Sequence, residues 1–339
     1  MFLPCHRSSA RWLHHVCLVW LAGWLTCASA RPAAPPQVSV GVSRSVGVLP
    51  FHVAEQLGLF EAEGVRVTLK PCADGLRCLA DLFAGQTQLA TVTELPVALT
   101  SFHRDDFALV TSLARSDRDI KILVRRNARI GSLDQLVGRR IALPLGTAAH
   151  YHLEVALMLA GIDPRSVATV DLPPDRIPAA MASGEVDACV IWEPIAQAIL
   201  RDDSRAAIPL PGPKGLTHTF NLAASRTYIV EHEDALVRVL RALQRAVDAI
   251  RENPDKARRL LAQRLEIPAA DSAARWADYD FRLKLPQSLV GTLERQIRWL
   301  RREGLVPSGP HPERPVNVLR LLEPDPLRRA VPDAITLVK

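Results

Sequence analysis

From Gln37 onward the apolar positions of the chain alternate between a strand period and a helix period. Val38–Val42 reads as a strand. Phe51–Leu57 reads as a helix with Val53, Leu57 and Phe60 on one face and Gly58 as its stop. Val65, Val67 and Leu69 alternate as a second strand. Asp74-Gly75 then opens a helix whose Leu79, Leu82 and Phe83 face inward, and Gly85 ends it before the strand Leu89–Val92. Two such strand-helix-strand units imply a mostly parallel sheet. The rhythm resumes at Ile120–Val124. Ser132 stands three residues before Gln135, a capping-box spacing that predicts a short helix closed by Gly138. Strand Ile141–Leu143 leads through Leu145-Gly146-Thr147 into a helix ending at Gly161, and a further strand, helix and strand reach Ile191.

Beyond the extended run Thr219–Ala224, which follows a Pro/Gly-rich loop at Pro209–Gly215, the pattern predicts helices almost throughout. Leu236, Leu240, Leu243, Val247 and Ile250 make one apolar face. Asn253-Pro254 caps the next helix, and Leu293, Ile297 and Leu300 mark another. The Pro-rich tail 307–339 is expected to wrap the surface and end poorly ordered. The expected organisation is α/β with two lobes. Lobe I spans 37–122 and is completed by part of 224–306; lobe II spans 123–220. Two crossings between them, near Ile122–Arg125 and Thr219–Ala223, make a hinge, and strand ends of both lobes can face one cleft.

The first 30 residues change the picture of location. Arg7 and Arg11 precede an apolar core, Val16–Leu25, and Ala28-Ser29-Ala30 supplies small residues at a cleavage site, so this segment reads as a signal peptide cleaved after Ala30. Its core is shorter than the roughly 20 residues of a membrane anchor. Lipidation at Cys27 is a separate possibility that Trp24 and Thr26 disfavour. The formal charge of the whole chain is +6. Export removes two arginines and no acid, and the remaining basic residues are mixed with acids, so nucleic acid is not an expected partner. Cysteine spacing gives no zinc site. Cys72 and Cys78 can pair across one turn in an oxidising compartment or remain thiols, and Cys189 reads as a buried strand residue.

Four strand ends carry candidate chemistry: Ser43-Arg44-Ser45, Thr93-Glu94, Gly146-Thr147-Ala148 and Trp192-Glu193. The second of these follows Thr91-Val92. Gly146-Thr147-Ala148 opens a helix with small residues, so its free amides can take an acceptor group, or Thr147 is simply its cap. Trp192 is either a core ring or a platform for a ligand. Glu193 needs solvent or a donor. Asn221, inside an apolar run, offers donor and acceptor to a ligand or ties backbone between lobes. Arg44 can be a plain surface residue. No G-x-S-x-G or HExxH signature supports catalysis, and His150 and His152 are spaced too closely to share a helix face as zinc ligands.

The phrases "GVLPFHVAEQLGLFEAEGVRVTLKP", "ADGLRCLADLFAGQTQLATVTELPVA", "VGRRIALPLGTAAHYHLEVALMLAGI" and "ASGEVDACVIWEP", in this order, resemble the solute-binding proteins of ABC importers for nitrate, sulfonates, taurine and thiamine-pyrimidine precursors. The resemblance covers about Val38–Val247. It implies the type II periplasmic binding-protein fold and an exported, monomeric receptor without cofactor, metal or catalytic residues. The expected partners are a small polar solute and an ABC permease with its ATPase. It also implies ligand contacts at the strand ends already named. A ligand-sensing receptor of the same fold, coupled to a membrane signalling partner, is the alternative; a pyrimidine-synthase-like enzyme is another, but the cysteine-rich signature of such enzymes is absent. With Glu94 and Glu193 expected in one cleft, a bare anion such as nitrate is disfavoured, and a taurine-like zwitterion or aminopyrimidine stacked on Trp192 is favoured.

Overall fold

Two β-sheets organise the chain in the computed structural model, which describes residues 34–201, 207–306 and 315–337. In chain order the strands are β1 Gln37–Ser43, β2 Arg66–Cys72, β3 Leu89–Val92, β4 Phe107–Ser116, β5 Ile120–Arg125, β6 Arg140–Leu143, β7 Ala168–Asp171, β8 Ala188–Trp192, β9 Ala207–Leu210, β10 His218–Ser225, β11 Asp280–Pro286 and β12 Ile335–Thr336. The larger sheet runs β12-β11-β4-β10-β3-β1-β2 and the smaller β7-β6-β8-β5-β9. The chain enters the smaller sheet between Ser116 and Ile120 and returns between Leu210 and His218. Ile120–Arg125 therefore lies wholly within the smaller sheet and His218–Ser225 wholly within the larger, so both passages precede the stretches that the apolar pattern suggested.

The expectation of a mostly parallel sheet needs correction. β1 pairs in parallel with β2 and β3, but β10 runs antiparallel to both β3 and β4. In the smaller sheet β6 is parallel to β7 and β8, whereas β5 is antiparallel to β8 and β9. The reversal follows from the path: β4 leaves one sheet, β10 returns to it, and strands that carry a chain across a hinge have no crossover helix to impose a parallel direction.

Where helices begin and end, the sequence signals act largely as expected. Asp74 accepts a hydrogen bond from the Arg77 amide at the start of the helix Gly75–Phe83, and Asn253 does the same for Lys256 at the start of Pro254–Leu265. Such caps stabilise by about 1 kcal/mol each. Gly58 adopts the left-handed φ of 63° that ends the helix Leu49–Gln56. The Ser132 box fails. Leu133–Leu136 is a single 3-10 turn, Ser132 makes no cap bond, and Gln135 accepts from Gly131 instead.

The long helix Glu233–Glu252 buries Leu236, Leu240, Leu243, Val247 and Ile250 against the larger sheet's core. The tail also departs from expectation. Val318, Leu321, Leu322 and Leu327 are buried, Arg329 pairs with Glu233 (2.7 Å), and β12 adds to β11. Its apolar residues are too sparse to show a period, yet most of those described reach the core, Leu319 being an exposed exception. Four strands, β4, β9, β11 and β12, escaped the pattern reading. β4 is buried along almost its whole length and so shows no alternation, while β11 lies inside a region dominated by helical spacing. None of the helices among the described residues is long and apolar enough to cross a membrane.

Candidate functional site

The carboxyl ends of β1 and β3 from the larger sheet and of β8 from the smaller meet the start of β5 around one cavity of about 520 Å³, open mouth included. Ser43, Ser45, Thr91, Thr93 and Thr147 place five hydroxyl-bearing side chains on its wall, while Trp192, Ile120, Val48 and Phe220 make its apolar part. Trp192 and Ile120 are cross-strand partners on β8 and β5, so the indole is held by the pairing that ends the strand. Phe220 lies over Gly47, where any Cβ would stand only 2.1 Å from the ring. That contact explains a glycine inside the buried turn Val46–Val48.

Ala148 begins the helix Ala148–Leu159, and the Thr147 hydroxyl turns back to the Pro144 carbonyl (2.7 Å) rather than capping it. The first amides of this helix are thereby left to whatever occupies the cavity. Ser45 and Thr93 likewise occupy N-cap positions without a side-chain cap bond. Among the described residues no lysine or arginine lines this cavity, so an anion there is received by amides, hydroxyls and the helix dipole, worth about 0.3–1 kcal/mol per terminus.

The site residues expected from sequence divide accordingly. Ser43, Ser45, Thr93, Thr147, Ala148 and Trp192 come together in the cavity. Arg44, Glu94, Gly146, Glu193 and Asn221 do not line it. Arg44 donates to the Leu265 carbonyl (2.8 Å) and pairs with Glu266 at 3.6 Å. Gly146 lies with Leu99 and His150 in a neighbouring hollow, and its φ of 72° itself calls for glycine. Replacing Gly146 would therefore disturb the turn as well as any ligand. Asn221 is fully buried; its Oδ1 accepts from Ser112 and Thr219, and its Nδ2 donates to the Val92 and Thr219 carbonyls. It ties β10 to β3 and β4.

Both glutamates are turned away. Glu94 accepts from the Thr219 amide (2.6 Å) and hydroxyl (2.7 Å), and burial, partly opposed by those bonds, pushes its pKa up to about 7. Glu193 is 1% exposed and its Oε2 accepts from the Gln197 amide at 2.9 Å. Neither carboxylate therefore faces the cavity, and the expected repulsion of a bare anion by two glutamates does not arise.

The acid that does reach the cavity is Asp119, in the passage between β4 and β5. Burial raises its pKa to about 7, helped by neighbouring Glu193 and opposed by a hydrogen bond from the Tyr279 hydroxyl. Asp74 also lines the wall but is engaged at the Arg77 amide. Nothing in the polar run Asp117-Arg118-Asp119 singled out Asp119 from its neighbours, because the signal is a hinge position rather than a motif. Thr91 and Phe220 were hidden for a different reason: inside apolar runs they read as ordinary strand.

Beside the cavity, Cys72 and Cys78 are bridged, with Cα atoms 5.5 Å apart, which fastens the end of β2 to the helix carrying Gly75. Cys189 is a buried free thiol whose pKa burial drives up. Among the described residues no group of three or more His, Cys, Asp or Glu is placed to hold a metal.

Comparison with known proteins places this geometry. The chain is 29% identical over 169 residues to a taurine-binding periplasmic protein of Escherichia coli (strain K12), covering 49% of this chain and 51% of that one. It is 26% identical over 226 residues to a putative aliphatic sulfonates-binding protein of Bacillus subtilis (strain 168), covering 65% and 67%. The match thus spans about half the length of the first relative and two thirds of the second. Among solved structures, the alkanesulfonate-binding protein SsuA from Xanthomonas axonopodis pv. citri, bound to MOPS, superposes with a TM-score of 0.73 at 23% identity, over 81% of this chain and 96% of that one. The desulfurization enzyme DSZB superposes with a TM-score of 0.64 at 16% identity, over 88% and 99%. Likeness at this level establishes the periplasmic binding-protein fold, with its two α/β lobes, and not the activity. A family profile described as NMT1/THI5 like matches residues 46–257, a stretch that carries every cavity residue except Ser43 and Ser45, and the chain belongs to that family.

Proposed function

We propose that this protein is an exported solute-binding protein of an ABC importer and that its solute is a small organosulfonate. The observation that carries the reading is the cavity itself. It is formed by strand ends of both sheets, lined by hydroxyls and an uncapped helix start, and free of lysine and arginine. A sulfonate presents three acceptor oxygens to the Ala148 helix start and to Ser43, Ser45 and Thr93, while its short carbon chain lies against Trp192 and Phe220. Asp119, largely protonated below its pKa, does not repel that head group, and once ionised it can meet an amine on a taurine-like solute. The relatives support this choice, since one is a taurine-binding periplasmic protein and the other a putative aliphatic sulfonates-binding protein.

Closure of the lobes over a bound solute would present one shape to a permease, and no group in the cavity is arranged as a nucleophile with its base. The enzyme alternative therefore has no observation of its own beyond a shared fold with DSZB. Native mass spectrometry of protein purified from its own export compartment is the test. A retained organosulfonate, released unchanged on denaturation, is expected; a chemically altered product, or a retained solute without an acidic oxyanion, would overturn the reading. The same spectrum should give a chain beginning at Arg31 if the leader is cleaved after Ala30.

A further inference from the structure

A second cavity, of about 1040 Å³ with its open mouth included, borders the return passage between the sheets and the end of β4, and no function above uses it. Its wall holds Arg115, Arg282, Lys284 and Arg295 and, among the described residues, no acidic one. The sequence of β11 puts them there. Phe281, Leu283 and Leu285 alternate into the core, which leaves Arg282 and Lys284 together on the other face. A single carboxylate, Asp280, pairs with both Arg115 and Arg282. Among the described residues Lys284 makes no ion pair; Arg295 donates to the Thr292 hydroxyl (2.9 Å), and the acid whose charge it feels is Glu94, buried behind Thr219 and held largely protonated below a pKa of about 7. Arg282 has its pKa lowered by burial and by the neighbouring charges of Arg115 and Arg251. Four cations are thus gathered in one concave place where the protein itself supplies few counter-charges.

We propose that this cavity is a second binding site, for a small multivalent oxyanion of the phosphate class. The charge asks for more than one negative charge, and the volume exceeds what a single tetrahedral oxyanion fills. Ser288 and Leu289, in the first turn of the helix Gln287–Arg302, lie on the same wall, and that helix has no side-chain cap. They add hydroxyl and amide donors to the guanidinium and ammonium groups. The location gives the site a consequence. Arg115 stands just before the first passage, Gly215 and Thr217 lie in the second, and Arg282 and Lys284 belong to β11. An anion held here links the second passage to β4 and β11 of the larger sheet, so its binding is coupled to the opening of the cleft and hence to solute affinity.

Pyrophosphate is the probe, titrated by calorimetry into the full mature protein at an ionic strength held constant with chloride. Saturable binding at one site is expected. It should persist in folded Trp192→Ala, whose ring lies at the solute cavity and not on this wall, and weaken at least tenfold in Lys284→Gln, whose side chain makes no ion pair among the described residues. Arg295→Gln is the second variant, with melting curves to confirm that each protein is folded. Heats no larger than those of chloride would overturn the proposal. So would binding unaffected by both substitutions, or binding lost in folded Trp192→Ala, since the probe would then be occupying the solute cavity.

Discussion

Two cavities border the same hinge and are built from opposite chemistry. The one between the strand ends has hydroxyls, amides, an indole and a phenyl ring, with no fixed cation. The one beside β11 has four cations and no acid on its wall. The difference bears on selectivity. A site made of dipoles holds an anion by geometry and keeps its preference at high salt, whereas a cluster of partly exposed charges attracts any multivalent anion and is screened. A receptor that must choose one solute and then release it is better served by the first.

The largest effect should come from removing the ring that gives the solute cavity its apolar wall. Trp192→Ala is expected to weaken organosulfonate binding by about 2–3 kcal/mol, some 30- to 150-fold, measured by calorimetry at constant ionic strength. Part of the Trp192 ring also packs against both faces of the smaller sheet, so the melting temperature should fall as well. Pyrophosphate binding at the other cavity should not change.

The next contrast is between two acids with the same raised pKa and different positions. Glu94 is buried beside Thr219, away from the solute. Its folded pKa of about 7 lies above its unfolded value, so the folded state holds the proton more tightly. The resulting stabilisation is fully present below the unfolded pKa and is lost as pH rises through about 7. Glu94→Gln retains the acceptor for Thr219 and carries no charge. It should therefore stabilise the protein by about 1–3 kcal/mol at pH 8, and by little at pH 5, in denaturant melts.

Asp119 faces the solute, so its titration should appear in affinity. With its pKa at about 7, organosulfonate affinity should fall about tenfold between pH 6 and pH 8 as the protonated form is depleted, and Asp119→Asn should flatten the profile. A taurine-like solute, whose amine can meet the carboxylate, should show a smaller fall. If Glu94→Gln rather than Asp119→Asn flattened the profile, the assignment of the two acids would be reversed.

The smallest effect belongs to Arg44. Its contacts are the Leu265 carbonyl and an exposed pair with Glu266, so Arg44→Ala should leave solute affinity within about twofold and stability within about 1 kcal/mol.

How much of this could be read from the chain depended on whether the signal was local. β1, β3 and β8 announce themselves as apolar runs, and with them came Ser43, Thr93 and Trp192, because a strand end is a local feature. Asp74 and Asn253 were legible for the same reason, since a cap acts within three residues. The direction of Glu94 and Glu193 was not legible. Each sits beside a correctly placed strand end, but Thr219 and Gln197 decide where the carboxylate points, and the Thr219 partner is 125 residues away. Asp119 was invisible because its importance arises from the passage between two sheets. β4 and β11 were missed because their environments erase or mimic the periodicity that would reveal a strand.

The central claim is that the cavity between the strand ends selects a small organosulfonate without using a fixed cation. Calorimetric titration of the mature wild-type protein at pH 6 with ethanesulfonate, taurine, nitrate and an aminopyrimidine tests it most directly. The account predicts saturable one-site binding of ethanesulfonate and taurine that changes little between low and moderate salt, with nitrate and the aminopyrimidine at least tenfold weaker. Tight binding of the aminopyrimidine with no heat from either sulfonate would contradict it.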